Sequence, residues 1–210
     1  MTSTIYSHKY SENKQTGVYQ FDCVGSVDYF LKLGAPQGLA AIRSQLKIRN
    51  GYVPSPPLFY KYIQSNQSPL WKQITNYANI RPGDVVIMND IISPDDGTPG
   101  HAMIAASWPL LLNNGTYALT VYDSTGTPHG KADSRRWDSR TTPLPPKSQS
   151  GAPTSQQSVA KTKIGSGLGQ GTIQLWPKSA STLSPKSEQM SWTVGTRPVK
   201  TGIAIARVQK

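Results

Sequence analysis

Arg81-Pro82-Gly83-Asp84-Val85-Val86-Ile87-Met88 is where the chain changes character. The Pro-Gly-Asp triplet is a turn signal, and the β-branched run behind it is short, apolar and bounded, as a buried strand requires. Upstream, apolar residues recur at helical spacing. Val24, Val27 and Tyr29-Phe30-Leu31 predict a helix from Cys23 to Lys32, opened by Asp22 and closed by Gly34. Leu39, Ile42 and Leu46 predict a second helix over 39–49, and Leu58 to Ile80 reads as a helix in two pieces broken at Ser68-Pro69. Residues 1–20 carry Tyr6, Tyr10 and Tyr19 without a clear period and read as a loop or extended lead-in. Downstream of the turn, a polar loop runs from Asn89 to Gly100. Strands are then predicted over His101–Ser107 and Tyr117–Tyr122, the latter ending at Asp123. Helices first and strands afterwards predict an α+β class, not an alternating doubly wound sheet.

The remainder of the chain differs in composition. Thr141 to Ala160 lacks aromatic residues and is rich in Pro, Ser, Gln and Thr, and Gly165, Gly167, Gly169 and Gly171 come after it. Together they predict a mobile insertion over 141–171. Three strand-like pieces close the sequence: Thr172–Trp176, Ser191–Val194 and Ile203–Val208. They are too short and few for a second core, so residues 172–208 are expected to complete the first sheet. The expectation is one domain over 1–210.

The chain has 210 residues, with 18 Gly and 17 Pro, a 36% apolar fraction and 16% charged residues. This excludes collagen and coiled coil, and no window reaches the ~20 apolar residues of a spanning helix. No basic stretch followed by an apolar run marks a secretory signal in the N-terminal residues. Net charge is +11, but residues 1–130 carry 9 basic and 8 acidic side chains, and residues 131–210 carry 13 and 3. A uniformly basic nucleic-acid binder would spread that excess; a basic C-terminal region could still touch an acidic polymer. The bland reading is a solvated surface. A monomer is expected.

Cys23 is the single cysteine, so an intrachain disulfide and a Cys-rich zinc cluster are both excluded. A lone cysteine is commonly a small buried apolar residue. This one stands in the first turn of a predicted helix, where free N–H groups and the helix dipole favour a thiolate. A nucleophilic cysteine needs a base within reach and a group that orients it. Of His8, His101 and His129, His101 opens a strand directly after Gly100, where its ring can project toward a helix N-terminus. No phosphate-binding loop, dinucleotide fingerprint or metal-ligand spacing occurs, so no metal and no other cofactor is expected.

Three segments resemble a known family. Phe21-Asp22-Cys23-Val24-Gly25-Ser26-Val27 is similar to the Asp-Cys-Ser-Gly-Phe-Val signature of the NlpC-like cell-wall hydrolases, in the papain-like cysteine peptidase superfamily. Arg81 to Val86 is similar to that family's Pro-Gly-Asp-Leu strand, and Gly100-His101-Ala102-Met103-Ile104 to its Gly-His-Val-Gly-Ile strand. The resemblance covers roughly Tyr6 to Gly130. It departs at Val24, at Ala102-Met103 and in the missing Tyr-x-Trp-Gly-Gly lead-in.

The resemblance implies a papain-like (NlpC-like) fold with N-terminal helices packed on an antiparallel sheet. It also implies a cysteine peptidase or amidase acting on bacterial cell-wall peptides (peptidoglycan) at an exported location. Cys23 would be nucleophile and His101 base. Asp123 is the best match to the polar residue that orients the imidazole in the family, with His129 as rival orienter or substrate contact. Tyr6 or Tyr10 stands where the family has an oxyanion tyrosine, and Asp22 is a further substrate or oxyanion candidate. Two other readings compete: a binding or scaffold protein that has lost turnover, and a basic polyanion-binding module.

Overall fold

The computed structural model describes residues 1–48, 54–89, 100–138, 140, 142–143, 165–177 and 188–209. The lead-in forms a small sheet of β1 (Ser3–Tyr6), β2 (Ser11–Asn13) and β3 (Val18–Phe21), in the order β1-β3-β2 with β1 parallel to β3. Helix α1 (Cys23–Gly34) starts where expected, because the Asp22 side chain accepts from the Gly25 N–H at 2.8 Å and caps it. Helices α2 (Pro36–Gln45) and α3 (Pro56–Ser65) each open on proline, whose fixed φ suits the first turn. The second half of the predicted Leu58–Ile80 helix is instead strand β4 (Trp71–Gln73) and one 3₁₀ turn, Tyr77–Asn79. The helix ends at Ser65, where Asn66 turns left-handed, and pairing of Trp71 with Val208 draws residues 71–73 into the sheet. Burial agrees with the sequence reading even so: Trp71, Ile74 and Tyr77 are all buried.

The expected architecture of helices on an open sheet is overturned. The chain is mostly β, with three helices among the described residues, and its sheet closes into a six-stranded antiparallel barrel. The strands are β5 (Val85–Asn89), β6 (His101–Ala105), β8 (Tyr117–Thr125), β10 (Gly165–Trp176), β11 (Glu188–Ser191) and β12 (Val199–Val208). Short β7 (Leu110–Leu111) flanks β8, and β9 (Thr142–Pro143) flanks β10. Around the barrel the order is β8-β6-β5-β12-β11-β10, and β10 returns to β8 through nine residue pairs, from Gly167↔Thr125 to Leu175↔Tyr117. That pairing removes the edges an open sheet would leave unpaired. The α+β papain-like class therefore does not describe this molecule. The reason is the length of β10. Residues 165–171, read as the end of a mobile insertion, are strand, and they supply half of the closing seam. The centre of the expected insertion, 144–164, and most of the expected loop at 89–100 lie outside the described residues.

Period-two alternation divides the barrel strands between two cores. Val86, Met88, Met103, Ala105, Leu119, Val121, Ile173, Leu175, Met190, Ile203 and Ile205 fill the barrel interior. The alternate residues Val85, Ile87, Ala102, Ala204 and Ala206 face outward and pack against Val24, Val27, Leu31, Ile42, Phe59 and Ile63 of the helices. Ala102 leaves room for α1 against β6, and Ala204 and Ala206 leave room for α3 against β12. No helix among the described residues is long and apolar enough to cross a membrane.

Candidate active site

The interior face of β6 and β8 turns polar at one end, and there the site is built. On β6, His101 shares the inward face with Met103 and Ala105; on β8, Asp123 shares it with Leu119 and Val121. The register pairs Ile104 with Tyr122 and Ala105 with Val121. Continued antiparallel pairing sets Asp123 across from Met103, one diagonal step from His101, which is within reach of an imidazole. Gly100 is required just before it: with φ +133°, a Cβ there would collide with the Met88 carbonyl of β5. Ser124, next to Asp123, points to the other face and donates to the Phe21 carbonyl at 2.7 Å. One strand thus holds both the acid that meets His101 and the segment leading into Cys23.

Cys23 is the first residue of α1. Its N–H and that of Val24 precede the first intrahelical bonds, and such groups point out of a helix N-terminus. Its thiol meets the His101 ring closely enough to act on it by charge and by hydrogen bonding. Cys23 is 5% exposed, bounded by the apolar helix core on one side and this imidazole on the other. The His101 side chain retains 12% exposure.

Asp123, fully buried, is the hub. Its Oδ2 lies 2.6 Å from His101 Nε2 and 2.8 Å from His129 Nε2, and its Oδ1 accepts from Arg135 Nη1 at 2.8 Å. Arg135 is 1% exposed and also donates to the Asp123 carbonyl and to Asp133 Oδ2. Asp133 in turn accepts from the backbone N–H groups of His129 and Arg135. The rival orienters are therefore not exclusive, since Asp123 receives both rings. Trp192 stacks on His129 with centroids 4.9 Å apart and planes 8° apart, and meets His101 edge-on at 5.2 Å. Space for this cluster comes from β10. A Cβ at Gly169 would strike Arg135, and one at Gly171 would stand 2.7 Å from His129 Cβ. The alternating glycines make one face of a strand bare, so that a buried loop can lie against it.

An ionised carboxylate only accepts, so both Nε2 atoms carry protons and His101 is left with Nδ1 for Cys23. Burial opposes a charge on His101, but the negative charge at Cys23 and the hydrogen bonds to Asp123 and Cys23 outweigh it and raise its pKa to about 10. Burial also opposes ionisation of Asp123. His129, the hydrogen bonds from both rings and the Arg135 guanidinium prevail and hold its carboxyl well below the usual range. The arrangement favours an imidazolium at His101.

His101, Asp123 and His129 are also residue types that bind metal, with their ligand atoms close together. A tetrahedral ion about 2.0–2.1 Å from each ligand would hold them ~3.3 Å apart. The observed 2.6 and 2.8 Å are hydrogen-bond separations, and Arg135 already supplies the positive charge at Asp123. The donor set fits protons better than an ion.

The other candidates lie around the rim. Asp22 caps α1, and its Oδ2 is 3.3 Å from His8 Nδ1. Tyr6 pairs with Phe21 in the β1–β3 register, packs edge-on against His8 and borders Gly126. Tyr10 is directed elsewhere: its hydroxyl bonds Glu12 and its ring packs on Phe21. A cavity of about 620 Å³ between α1, α2 and the 81–84 turn reaches none of Cys23, His101 and Asp123, so chemistry and not volume marks the site. The sequence reading names neither Arg135 nor Trp192 as a site residue. It missed that Arg135 grips Asp123 and that Trp192 covers both rings. The period-two glycines were the available signal for a strand packed tightly on something large. Comparison with family models, curated proteins and solved structures finds no match for this chain.

Proposed function

We propose that this protein is a cysteine-dependent amide or peptide hydrolase, with bacterial cell-wall peptides as its substrate class. The observation that carries the chemistry is a single imidazole, His101, held through Nε2 by buried Asp123 and close enough to Cys23, at a helix N-terminus, to be influenced by its charge. Thiolate Cys23 attacks the carbonyl carbon. The N–H groups at the start of α1 receive the developing oxyanion, and His101 passes its Nδ1 proton to the leaving amine. The same nitrogen then takes a proton from water, which attacks the thioester and frees Cys23. Asp123 keeps the ring in the Nε2–H form throughout. The substrate class rests on the similarity of three segments to NlpC-like hydrolases.

The test is hydrolysis of peptidoglycan fragments and simple peptide amides by the parent, Cys23→Ala and His101→Ala. Loss of the nucleophile or base is expected to abolish turnover to the background of binding and oxyanion stabilisation, about 10³-fold or more below the parent. Either variant retaining parental turnover refutes the assignment. A parent that alkylates slowly at Cys23 at every pH and cleaves nothing would instead be a binding protein.

A further inference from the structure

The β7–β8 hairpin stands apart from the site and presents a run that a folded surface rarely leaves bare. Trp108, Leu110 and Leu111 are 61%, 64% and 61% exposed. Three large apolar residues within four positions is the pattern that binary patterning forbids unless it serves a function. Leu110 and Leu111 are consecutive residues of a strand, so they point to opposite faces, and both faces are open. A docking strand for a flat protein partner would show one apolar face and one polar face. From Ala102 to Tyr122 the sequence contains no Asp, Glu, Lys or Arg. The hairpin can therefore leave water without stripping a charge, which is the main cost of entering a lipid phase. At its base the Arg81 guanidinium sits 5.6 Å from the Trp108 ring centroid, and the whole chain carries +11.

An uncharged apolar tip with an aromatic residue and a cation behind it matches the order of a bilayer interface: hydrocarbon, aromatic level, anionic headgroup. We propose that the β7–β8 hairpin is a membrane anchor that inserts Leu110 and Leu111 into the outer few ångströms of an anionic phospholipid surface, with Trp108 and Arg81 at headgroup level. The insertion is interfacial, since a two-residue strand cannot span. It does not depend on the hydrolase reading, because none of these residues touches Cys23, His101 or Asp123.

The experiment is co-sedimentation of the full chain with vesicles of phosphatidylglycerol and phosphatidylcholine, and with phosphatidylcholine alone. Binding to the anionic vesicles is expected to exceed that to the neutral ones, and Leu110→Ser with Leu111→Ser to weaken it roughly tenfold or more. Both leucines are exposed, so the double variant should keep the parent's melting temperature and its rate of Cys23 alkylation, which separates loss of anchoring from loss of fold. A second variant, Trp108→Ala, should weaken binding to the same vesicles. No binding to anionic vesicles overturns the proposal, as does binding that the double variant leaves unchanged. Capture of a protein by the hairpin in the absence of vesicle binding would count against it in the same way.

Discussion

Replacing Asp123 by Asn changes a single group in a place with no room to adapt. Oδ2 accepts from two histidines and Oδ1 from a guanidinium, and the side chain is fully buried. If the new amide nitrogen turns toward the histidines, Nε2 of His101 must become an acceptor. The ring then carries its proton on Nδ1, toward Cys23, and cannot take the proton of the sulfur. If the nitrogen turns the other way, it meets Arg135 Nη1, donor against donor. Both orientations forfeit at least one charge-assisted hydrogen bond, worth about 1.5–3 kcal/mol. At 1.36 kcal/mol per factor of ten, the thiolate–imidazolium pair should become about 10- to 150-fold less populated.

Alkylation by iodoacetamide reads that population directly, and Cys23 is the only thiol in the chain. The parent should alkylate rapidly well into the acidic range. The Asp123→Asn protein should lose that acidic limb and react only as pH rises. The same change removes one carboxylate from the buried Arg135, where breaking a buried pair costs about 3–5 kcal/mol. The urea midpoint should fall accordingly, which separates a folded protein with slow alkylation from an unfolded one with fast, pH-ordinary alkylation. An Asn variant with the parent's alkylation rate and profile would refute the role given to Asp123.

Two further outcomes rest on the same cluster. Gly171→Ala places a Cβ 2.7 Å from His129 Cβ and 2.8 Å from Asp133 Oδ2, so it should lower the thermal midpoint by an overpacking cost of about 1–3 kcal/mol. Alanine at the neighbouring outward position Gln170, by contrast, should change it little. His101 has a pKa of about 10 in the folded protein against 6.5 for a free ring, so the native state binds this proton more tightly. The stabilisation is complete below about pH 6.5, declines as pH rises toward 10 and is gone above it. Urea unfolding at stepped pH should show the decline. In Cys23→Ser, where the thiolate no longer faces the ring, the window should move to lower pH.

Much of the site was legible because its determinants are local. Asp22 before an apolar period announces a helix cap, so Cys23 could be placed on the first turn of α1 before any fold was known. The Gly100-His101 step and the β-branched run ending in Asp123 likewise declare strands, and strand partners one diagonal apart bring those two side chains into contact. Other features depend on pairing between distant segments. Residues 70–80 have helical spacing but become β4 and a turn, because β12, more than a hundred residues later, offers Trp71 a strand partner. Gly165 to Gly171 resemble a flexible linker in composition, yet the same alternation becomes a bare strand face once Arg135 and His129 are pressed against it.

By itself the sequence determined the capped start of α1, the strands that follow Gly83-Asp84 and Gly100, and which side chains are apolar. Only the tertiary structure decided that the sheet closes on itself through β8 and β10, and that Asp123 is shared by two histidines under a guanidinium clamp. Caps, turns and periodicity act over a few residues and are written in neighbouring side chains. Barrel closure and buried charge networks balance pairing, desolvation and chain entropy across the whole molecule, and no short stretch of sequence contains that balance.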